Sequence, residues 1–319
     1  MNNHKGTSTI SLNPLVSIVT PSYNSMPYIK ATVKSVQSQT YINIEHIVMD
    51  GGSTDGTIEF LQSQTQLIWK SESDRGQSHA LNKGFHLAKG EIIGWLNSDD
   101  TYEPNAITEA VKFLTANPYI GMVYSDVQII DEKDQLIGKL QSKPFNLELL
   151  LTNNYIKQPT VFIKRAIIDQ LKGVDEDLHF VMDREFWLRI GLAGYKVGYL
   201  ENCYLANFRL IPGTKSYEQN SIFQKEWVEV LEKSKTISVF NDKVKIKYKR
   251  ILRSAHSQYH VSLAIDAINK NAKKESIKEL ITAIKHNNKL LLNRGILLLF
   301  FSALLGFKIG RLRKFKKGK

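Results

Sequence analysis

Four short polar clusters stand out for the chemistry their side chains can do: Thr20-Pro-Ser-Tyr-Asn24, Asp50-Gly-Gly-Ser-Thr-Asp-Gly-Thr57, Ser73-Asp-Arg-Gly76 and Asn97-Ser-Asp-Asp100. A carboxylate such as Asp50 can accept hydrogen bonds from the imide N–H of a uracil or from a ribose hydroxyl, and Gly51, Gly52 and Gly56 let the backbone turn tightly behind it. The plainer alternative is that Asp50 and Asp55 cap a turn and a helix. Asp99 and Asp100 are adjacent anions that repel unless a cation or hydrogen bonds compensate them. Hard oxygen ligands of this kind suit Mg²⁺ or Mn²⁺ bound together with a diphosphate, where the metal would neutralise a departing nucleoside diphosphate. The competing description is a solvated turn in which Asp100 caps the next helix. Asp183, in Met182-Asp-Arg-Glu-Phe-Trp-Leu188, falls at an expected helix N-cap, a position that favours Asp for structural reasons alone. It could equally be a general base aimed into a crevice, and the helix period turns Glu185 well away from it.

Each of the four clusters follows an apolar run suited to a buried strand. The runs are Leu15 to Thr20, Ile44 to Met49, Leu67 to Trp69 and Ile92 to Leu96, with a further run from Met122 to Ile130. Helix-like segments lie between the first four and before the last. Strands and helices alternating at this spacing predict a mostly parallel α/β sheet covered on both faces, in which ligands bind outside the carboxyl ends of the strands. The first helix is signalled by Ser25 as a cap, Pro27 in the first turn and Ile29, Val33 and Val36 on one face; Asn105 to Leu114 reads similarly. Beyond Ile130 a hairpin around Asp131 to Asp134 and short helices near Leu147 and Arg165 are expected. A helix over Arg184 to Ala193, ended by Gly194, and strands over Tyr195 to Leu200 and Tyr204 to Leu210 should follow. From Ser216 onward the chain reads as entirely helical.

Composition narrows the choices. With 319 residues, 42% hydrophobic and 23% charged, the chain can bury a large core, which excludes disordered, collagenous and small disulfide-stapled classes. Cys203 is its single cysteine, so no intrachain disulfide or cysteine-built zinc site is possible and a reducing compartment fits. The opening residues contain no apolar stretch of the signal-peptide kind, so a cleaved secretory signal is not expected. There is no G-x-G-x-x-G after a strand, no G-x-x-x-x-G-K-[ST] and no G-x-S-x-G. The eight histidines show no metal-ligand spacing.

In this order, Val16-Ser-Ile-Val-Thr-Pro-Ser-Tyr-Asn24, Val48-Met-Asp-Gly-Gly-Ser-Thr-Asp-Gly-Thr57, Gly76-Gln-Ser-His-Ala-Leu-Asn-Lys-Gly84, Gly94-Trp-Leu-Asn-Ser-Asp-Asp100 and Met182-Asp-Arg-Glu-Phe-Trp-Leu-Arg189 resemble the inverting nucleotide-sugar glycosyltransferases of the GT-A fold that build bacterial surface polysaccharides. The resemblance covers about Pro14 to Ser216. It implies that Thr20, Pro21 and Tyr23 line the nucleotide pocket, that Asp50 contacts the base, and that Asp74 with Asn82 and Lys83 borders the base and donor sugar. Asn24, Ser53, Gly76, Asn97 and Ser98 complete the implied nucleotide-sugar set. Asp99 matches the metal-binding end of the D-x-D motif, with Asp100 beside it, and Asp183 matches the catalytic base. The sequence departs from the family pattern at Asn97, which replaces the first acid of D-x-D; at Met182, which replaces the first acid of an E-D pair; and at Ile211, where relatives often carry His. The implied activity is transfer from a nucleotide sugar, a UDP-sugar above other donors, to a saccharide or lipid-linked acceptor with a divalent cation. The alternatives are a metal-dependent nucleotidyltransferase, which would release pyrophosphate, and a non-catalytic carbohydrate- or lipid-binding module.

The net charge of +12 is unevenly spread. Asn241 to Lys319 carries 20 Lys or Arg against 4 Asp or Glu, a net of +16, while the remainder carries 23 against 27, a net of −4. A glycosyltransferase domain over 1–240 and a basic helical extension over 241–319 follow from this division. The extension predicts an anionic partner. It shows no nucleic-acid-binding motif, and its run Ile296-Leu-Leu-Leu-Phe-Phe-Ser-Ala-Leu-Leu305 is too short to span a bilayer comfortably, so an interfacial helix on an anionic membrane is expected rather than a nucleic-acid complex. The expected location is cytoplasmic, peripherally associated with the inner face of the cell membrane.

Overall fold

The computed structural model describes residues 10–211, 220–233 and 242–305. The chain divides into two compact units, residues 1–214 and 215–319; the boundary expected at Asn241 lies outside the described residues.

In the first unit β1 (Val16–Ser22), β2 (Ile44–Asp50), β3 (Ile68–Ser71) and β4 (Ile92–Trp95) are parallel and lie in the order β3-β2-β1-β4. Their apolar runs are continuous because helices cover both faces of such a sheet, and all seven residues of β1 are buried. The helices between them are α1 (Met26–Gln37), α2 (Thr57–Gln62) and α3 (Gln77–Leu87). Ile29, Val33 and Val36 form the buried face of α1, as their spacing predicts. Ser25 stands at its N-cap without capping it. Asp55 does so instead: one carboxylate oxygen accepts the Met26 N–H at 2.9 Å and the other accepts the Thr57 N–H at 3.1 Å, joining the starts of α1 and α2.

Beyond β4 the sheet becomes mixed. The chain continues through β5 (Thr101–Tyr102), α4 (Ala106–Ala116), β6 (Ile120–Ile130), β7 (Leu136–Leu140), α5 (Leu147–Thr152), a 3₁₀ turn (Gln158–Thr160), β8 (Phe162–Lys164), α6 (Arg165–Leu171), α7 (Met182–Leu192) and β9 (Lys196–Arg209). The short β8 inserts antiparallel between β4 and β6, and β9 runs parallel to β6 and antiparallel to β5. The two strands expected near Tyr195 and Tyr204 form the single strand β9. Its register jumps between Leu200 and Tyr204 opposite Ser125 and Asp126. Asn202 adopts a left-handed φ of 56° there, and the buried Asp126 carboxylate accepts the Tyr199 hydroxyl at 2.6 Å and the Asn202 N–H at 3.2 Å, closing the bulge. The core lies between this sheet and α4, where Ile107, Ala110 and Leu114 pack on Ile18, Val123, Phe162 and Leu205.

The second unit is helical, with α8 (Asn220–Lys233), α9 (Asp242–Asn269), α10 (Lys273–His286) and α11 (Arg294–Leu305). Asn271, at φ 59°, ends α9: the Ala272 N–H returns to the Ala267 carbonyl at 2.8 Å and the Asn271 N–H to that of Ile268 at 3.0 Å, a left-handed cap that reverses the chain. Ala264, Leu280 and Ile296 form the centre of this bundle. Among the described residues no helix is long and apolar enough to cross a membrane.

Candidate active site

The parallel register brings the strand-end clusters to one edge. Ser22 pairs with Asp50, Asp50 with Ser71, and Val19 with Trp95, so the segments after β1, β2, β3 and β4 all emerge on the same side of the sheet. Hydrogen bonds then stitch them into a continuous rim. The Ser98 and Ser25 hydroxyls meet at 2.7 Å, the Asn24 N–H donates to Ser53 Oγ at 2.7 Å, and Asn24 Oδ1 accepts the Thr54 N–H at 2.8 Å. Ser53 Oγ in turn donates to Asp50.

Asp50 is 2% exposed and well supplied with donors. Its Oδ2 accepts the Gly52 and Ser53 N–H groups, each at 3.0 Å, and the Ser71 hydroxyl at 2.6 Å. Oδ1 takes only the Ser53 hydroxyl and so retains acceptor capacity. The turn-capping role weighed for Asp50 is thus present in the structure. Asp74 stands across from it: Oδ1 accepts the Gly76 N–H at 2.7 Å, while Oδ2 leans on Gly51 so closely that a Cβ there would meet it at 2.7 Å. That same Cβ would lie 3.3 Å from the Tyr23 ring, and Tyr23 is exposed. Tyr23, Gly51 and Asp74 therefore lie close together at the strand-end edge, an exposed aromatic ring beside a carboxylate.

Thr20 and Pro21 lie on β1. Thr20 is fully buried with its hydroxyl 2.9 Å from His46 Nε2, and burial pushes the His46 imidazole down to about 3, so the pair is a neutral link inside the sheet. Pro21 is buried as well. Asn82 is occupied by its own unit: its amide donates to the Val174 carbonyl at 2.9 Å and to Glu176 at 3.0 Å and accepts the Val174 N–H at 3.0 Å, fastening α3 to the loop after α6. Lys83 pairs with Glu72 at 2.8 Å.

After β4, Asn97 Oδ1 accepts the Trp95 indole N–H and the Gln77 amide, both at 2.8 Å. Asp99 is half-buried, and among the described residues its carboxylate accepts only its own backbone N–H, with the Arg209 charge nearby. Asp100 turns inward: Oδ1 accepts the Arg209 N–H at 2.9 Å and Oδ2 is a buried oxygen without a partner among the described residues. Burial raises both carboxyls, Asp100 well above the usual range because Asp99 lies beside it. Arg209 steadies the segment by donating to the Asp99 and Asp131 carbonyls at 2.7 and 2.8 Å and to Asp134 at 2.6 Å. Carboxylate oxygens, one of them the unpartnered buried Asp100 Oδ2, are the donor type a hard divalent cation takes. Among the described residues no group of three or more His, Cys, Asp or Glu could hold an ion unaided.

Asp183 is reached from α7. This helix starts two residues earlier than expected, with Val181 at the N-cap, so Asp183 is not its cap; its Oδ1 accepts the Arg184 N–H at 2.6 Å and its Oδ2 the Asn154 amide at 3.4 Å. Burial raises the carboxyl above its ordinary range, and the Arg184 N–H, the Asn154 amide and the Lys157 ammonium pull it part of the way back. Glu185 is taken by Arg189 at 2.7 Å. One turn along from Asp183, Trp187 packs against Trp95 with ring centroids 6.2 Å apart, and Gln158 donates to the Trp95 carbonyl at 2.6 Å. These contacts hold the start of α7 beside the segment that bears Asn97 and Asp99. The sequence reading passed over Asn154, Lys157, Gln77 and Arg209. Arg209 lies at a predicted strand end and Gln77 within a stretch that carries the family resemblance, whereas Asn154 and Lys157 have no local signal.

Residues 17–170 match the family described as Glycosyl transferase family 2. An uncharacterized glycosyltransferase of Mycobacterium tuberculosis is 31% identical over 187 residues, covering 56% of this chain and 70% of the relative. The putative teichuronic acid biosynthesis glycosyltransferase TuaG of Bacillus subtilis is 28% identical, covering 67% and 86%. Among solved structures, TarS of S. aureus in complex with UDP-GlcNAc superposes with a TM-score of 0.63 at 18% identity, covering 85% of this chain and 81% of TarS. The mannosyltransferase PcManGT from Pyrobaculum calidifontis, in complex with GDP-Man and Mn²⁺, gives 0.57 at 21% identity, covering 94% and 83%. With its strand-end rim, its GT-A fold and these relatives, the chain belongs to glycosyl transferase family 2.

Proposed function

We propose that the protein transfers a sugar from a nucleoside-diphosphate donor, a UDP-sugar before others, to a saccharide or lipid-linked saccharide in the synthesis of a surface polysaccharide, with inversion at the anomeric carbon. The observation that carries this reading is the bonded rim that ties the Asp50 turn to the Asp99 segment; the Trp95–Trp187 contact, one helical turn from Asp183, supports the placing of Asp183 as its base. The name of TuaG supports the polysaccharide setting and the bound ligand of TarS supports the donor class.

In this reading the base lies against the exposed Tyr23 ring near Asp74, with Asp50 holding the Gly51-Gly52 turn beside it. Asp99, with Asp100 behind it, would hold a divalent cation, which supplies charge neutralisation to the departing diphosphate when bound. Asp183 accepts the proton of the acceptor hydroxyl as that oxygen bonds to the anomeric carbon and the bond from that carbon to the diphosphate oxygen breaks on the opposite face. Burial keeps Asp183 more basic than a surface carboxylate, which suits a general base, while Asn154 fixes its orientation. The departures at Asn97 and Met182 leave the charge to Asp99 and the base to Asp183 alone.

The test is a panel of nucleotide sugars with Mn²⁺, scored for release of nucleoside diphosphate. Asp183→Asn is expected to lower kcat by about 10²- to 10⁴-fold while donor binding persists. Near-normal turnover in that variant would remove Asp183 as the base, and pyrophosphate as the product would identify a nucleotidyltransferase instead.

A further inference from the structure

The chemistry above makes no use of the last helix of the second unit. Asn293 starts α11, its side chain accepting the Gly295 N–H at 2.8 Å and the Ile296 N–H at 3.3 Å. The ten residues from Ile296 to Leu305 are apolar except for Ser302, so the helix carries two apolar stripes rather than one. Ile296, Leu299, Phe300 and Ala303, at i, i+3, i+4 and i+7, turn inward, with Ile296 packed against Ala264 and Leu280. Leu297, Leu298, Phe301, Leu304 and Leu305 form the second stripe and are 47% to 63% exposed. Just before the helix, Leu292 is 90% exposed. An amphipathic helix on a globular surface ordinarily turns a polar face outward; a helix that is apolar all round belongs in a protein interior or in lipid.

Charge identifies the occupant. From Ile281 to Lys319 the sequence contains ten Lys or Arg and no Asp or Glu, with Lys289 and Arg294 flanking the apolar stripe and seven of the ten following the helix. A protein partner for a leucine-rich stripe needs no such excess of one sign, whereas an anionic leaflet attracts it directly. The length of α11 fixes the mode. Twelve residues at a rise of about 1.5 Å each extend about 18 Å, short of a hydrocarbon core of about 30 Å, so the helix can lie along the interface but not span it.

We propose that the outer stripe of α11, with Leu291 and Leu292, docks in the headgroup region of an anionic phospholipid bilayer, to which the basic sequence around it is attracted. The alternatives raised by the sequence, packing on the protein or inserting in lipid, are then both realised, one by each stripe. The proposal does not depend on the identity of the sugar donor.

The full chain is tested by co-sedimentation with vesicles of phosphatidylcholine alone and of phosphatidylcholine mixed with phosphatidylglycerol, which requires no variant. Binding to the anionic vesicles should exceed binding to the neutral ones by about tenfold or more and weaken as salt is raised. Leu298→Glu combined with Phe301→Glu changes only exposed positions. It should abolish vesicle binding while the circular dichroism spectrum and donor turnover in solution stay as in the unmodified chain. Equal binding to both vesicle types would overturn the proposal. Unchanged binding by the double variant would overturn it too, as would a concentration-dependent dimer, abolished by that variant, in a chain that ignores lipid.

Discussion

Lys157→Met probes the electrostatics of the proposed base more sharply than removal of the base itself. Asp183 can accept a proton only when ionised. Burial disfavours its ionised form, against which stand the Arg184 N–H at 2.6 Å, the Asn154 amide at 3.4 Å and the positive charges of Lys157 and Arg184. The Lys157 ammonium is itself desolvated, which lowers its pKa, and the Asp183 charge opposes that lowering, so the two groups act on each other where water screens poorly. A neighbouring cation typically lowers a carboxyl by about 1–3 pH units; because two hydrogen bonds share the work here, the lower end applies, about one unit or about 1.4 kcal/mol. Methionine keeps the length and packing of the lysine stem without its charge. The sign is fixed: with Lys157 gone the carboxyl titrates at higher pH, so the acidic limb of kcat/KM moves up by about one pH unit. On that limb the variant loses about tenfold, and on the plateau much less. The assay is nucleoside diphosphate release measured across the pH range at limiting donor. A uniform drop at every pH with the limb in place would make Lys157 a packing residue, and a limb that moved down would refute the electrostatic argument.

Two further outcomes follow from the geometry. Asp99→Ala should abolish the Mn²⁺-dependent part of donor binding in calorimetry while leaving the thermal midpoint near its original value, since the carboxylate accepts no hydrogen bond from another described residue; full Mn²⁺-dependent affinity in that variant would remove Asp99 as a ligand. Asn82→Ala removes the contacts to Val174 and Glu176 and should destabilise the first unit by about 2–3 kcal/mol, seen as a midpoint lowered by roughly 4–12 °C with KM for the donor little changed. A raised donor KM at unchanged stability would instead put Asn82 at the sugar, as the family resemblance implies.

How much the sequence disclosed depends on where each signal resides. Strands β1, β2, β4 and β6 were legible because burial on both faces leaves uninterrupted apolar runs, and α1 because its buried face repeats with the helix period. Strand β8 has three residues, too few to show a period. Strand β9 read as two because the residues between Leu200 and Tyr204 interrupt its pattern, and only the carboxylate of Asp126, in another strand, bridges the break. The strand-end clusters marked the site because parallel topology alone gathers them on one edge. Asn154 and Lys157 could not be anticipated: their relation to Asp183 arises from the packing of a loop on a helix start 26 or more residues away, which no local pattern encodes.

The three acids singled out in the sequence occupy three different electrostatic situations, and that difference separates their roles. Asp50 receives four protein hydrogen bonds, so its orientation is set before any ligand arrives and ligand binding need not order it. Asp99 receives only its own backbone N–H among the described residues, and its carboxyl is raised by burial and drawn partly back by that bond and by the Arg209 charge, so in the proposed reading a bound cation would add to the stabilisation of its ionised form. Asp183 lies between these limits, oriented by one strong and one long hydrogen bond and held basic by burial. A carboxylate saturated by protein donors is a poor base and a poor ligand; one without donors is expensive to keep ionised. A proton acceptor needs the intermediate state, fixed in direction yet still able to gain from protonation, and of the three only Asp183 meets that condition.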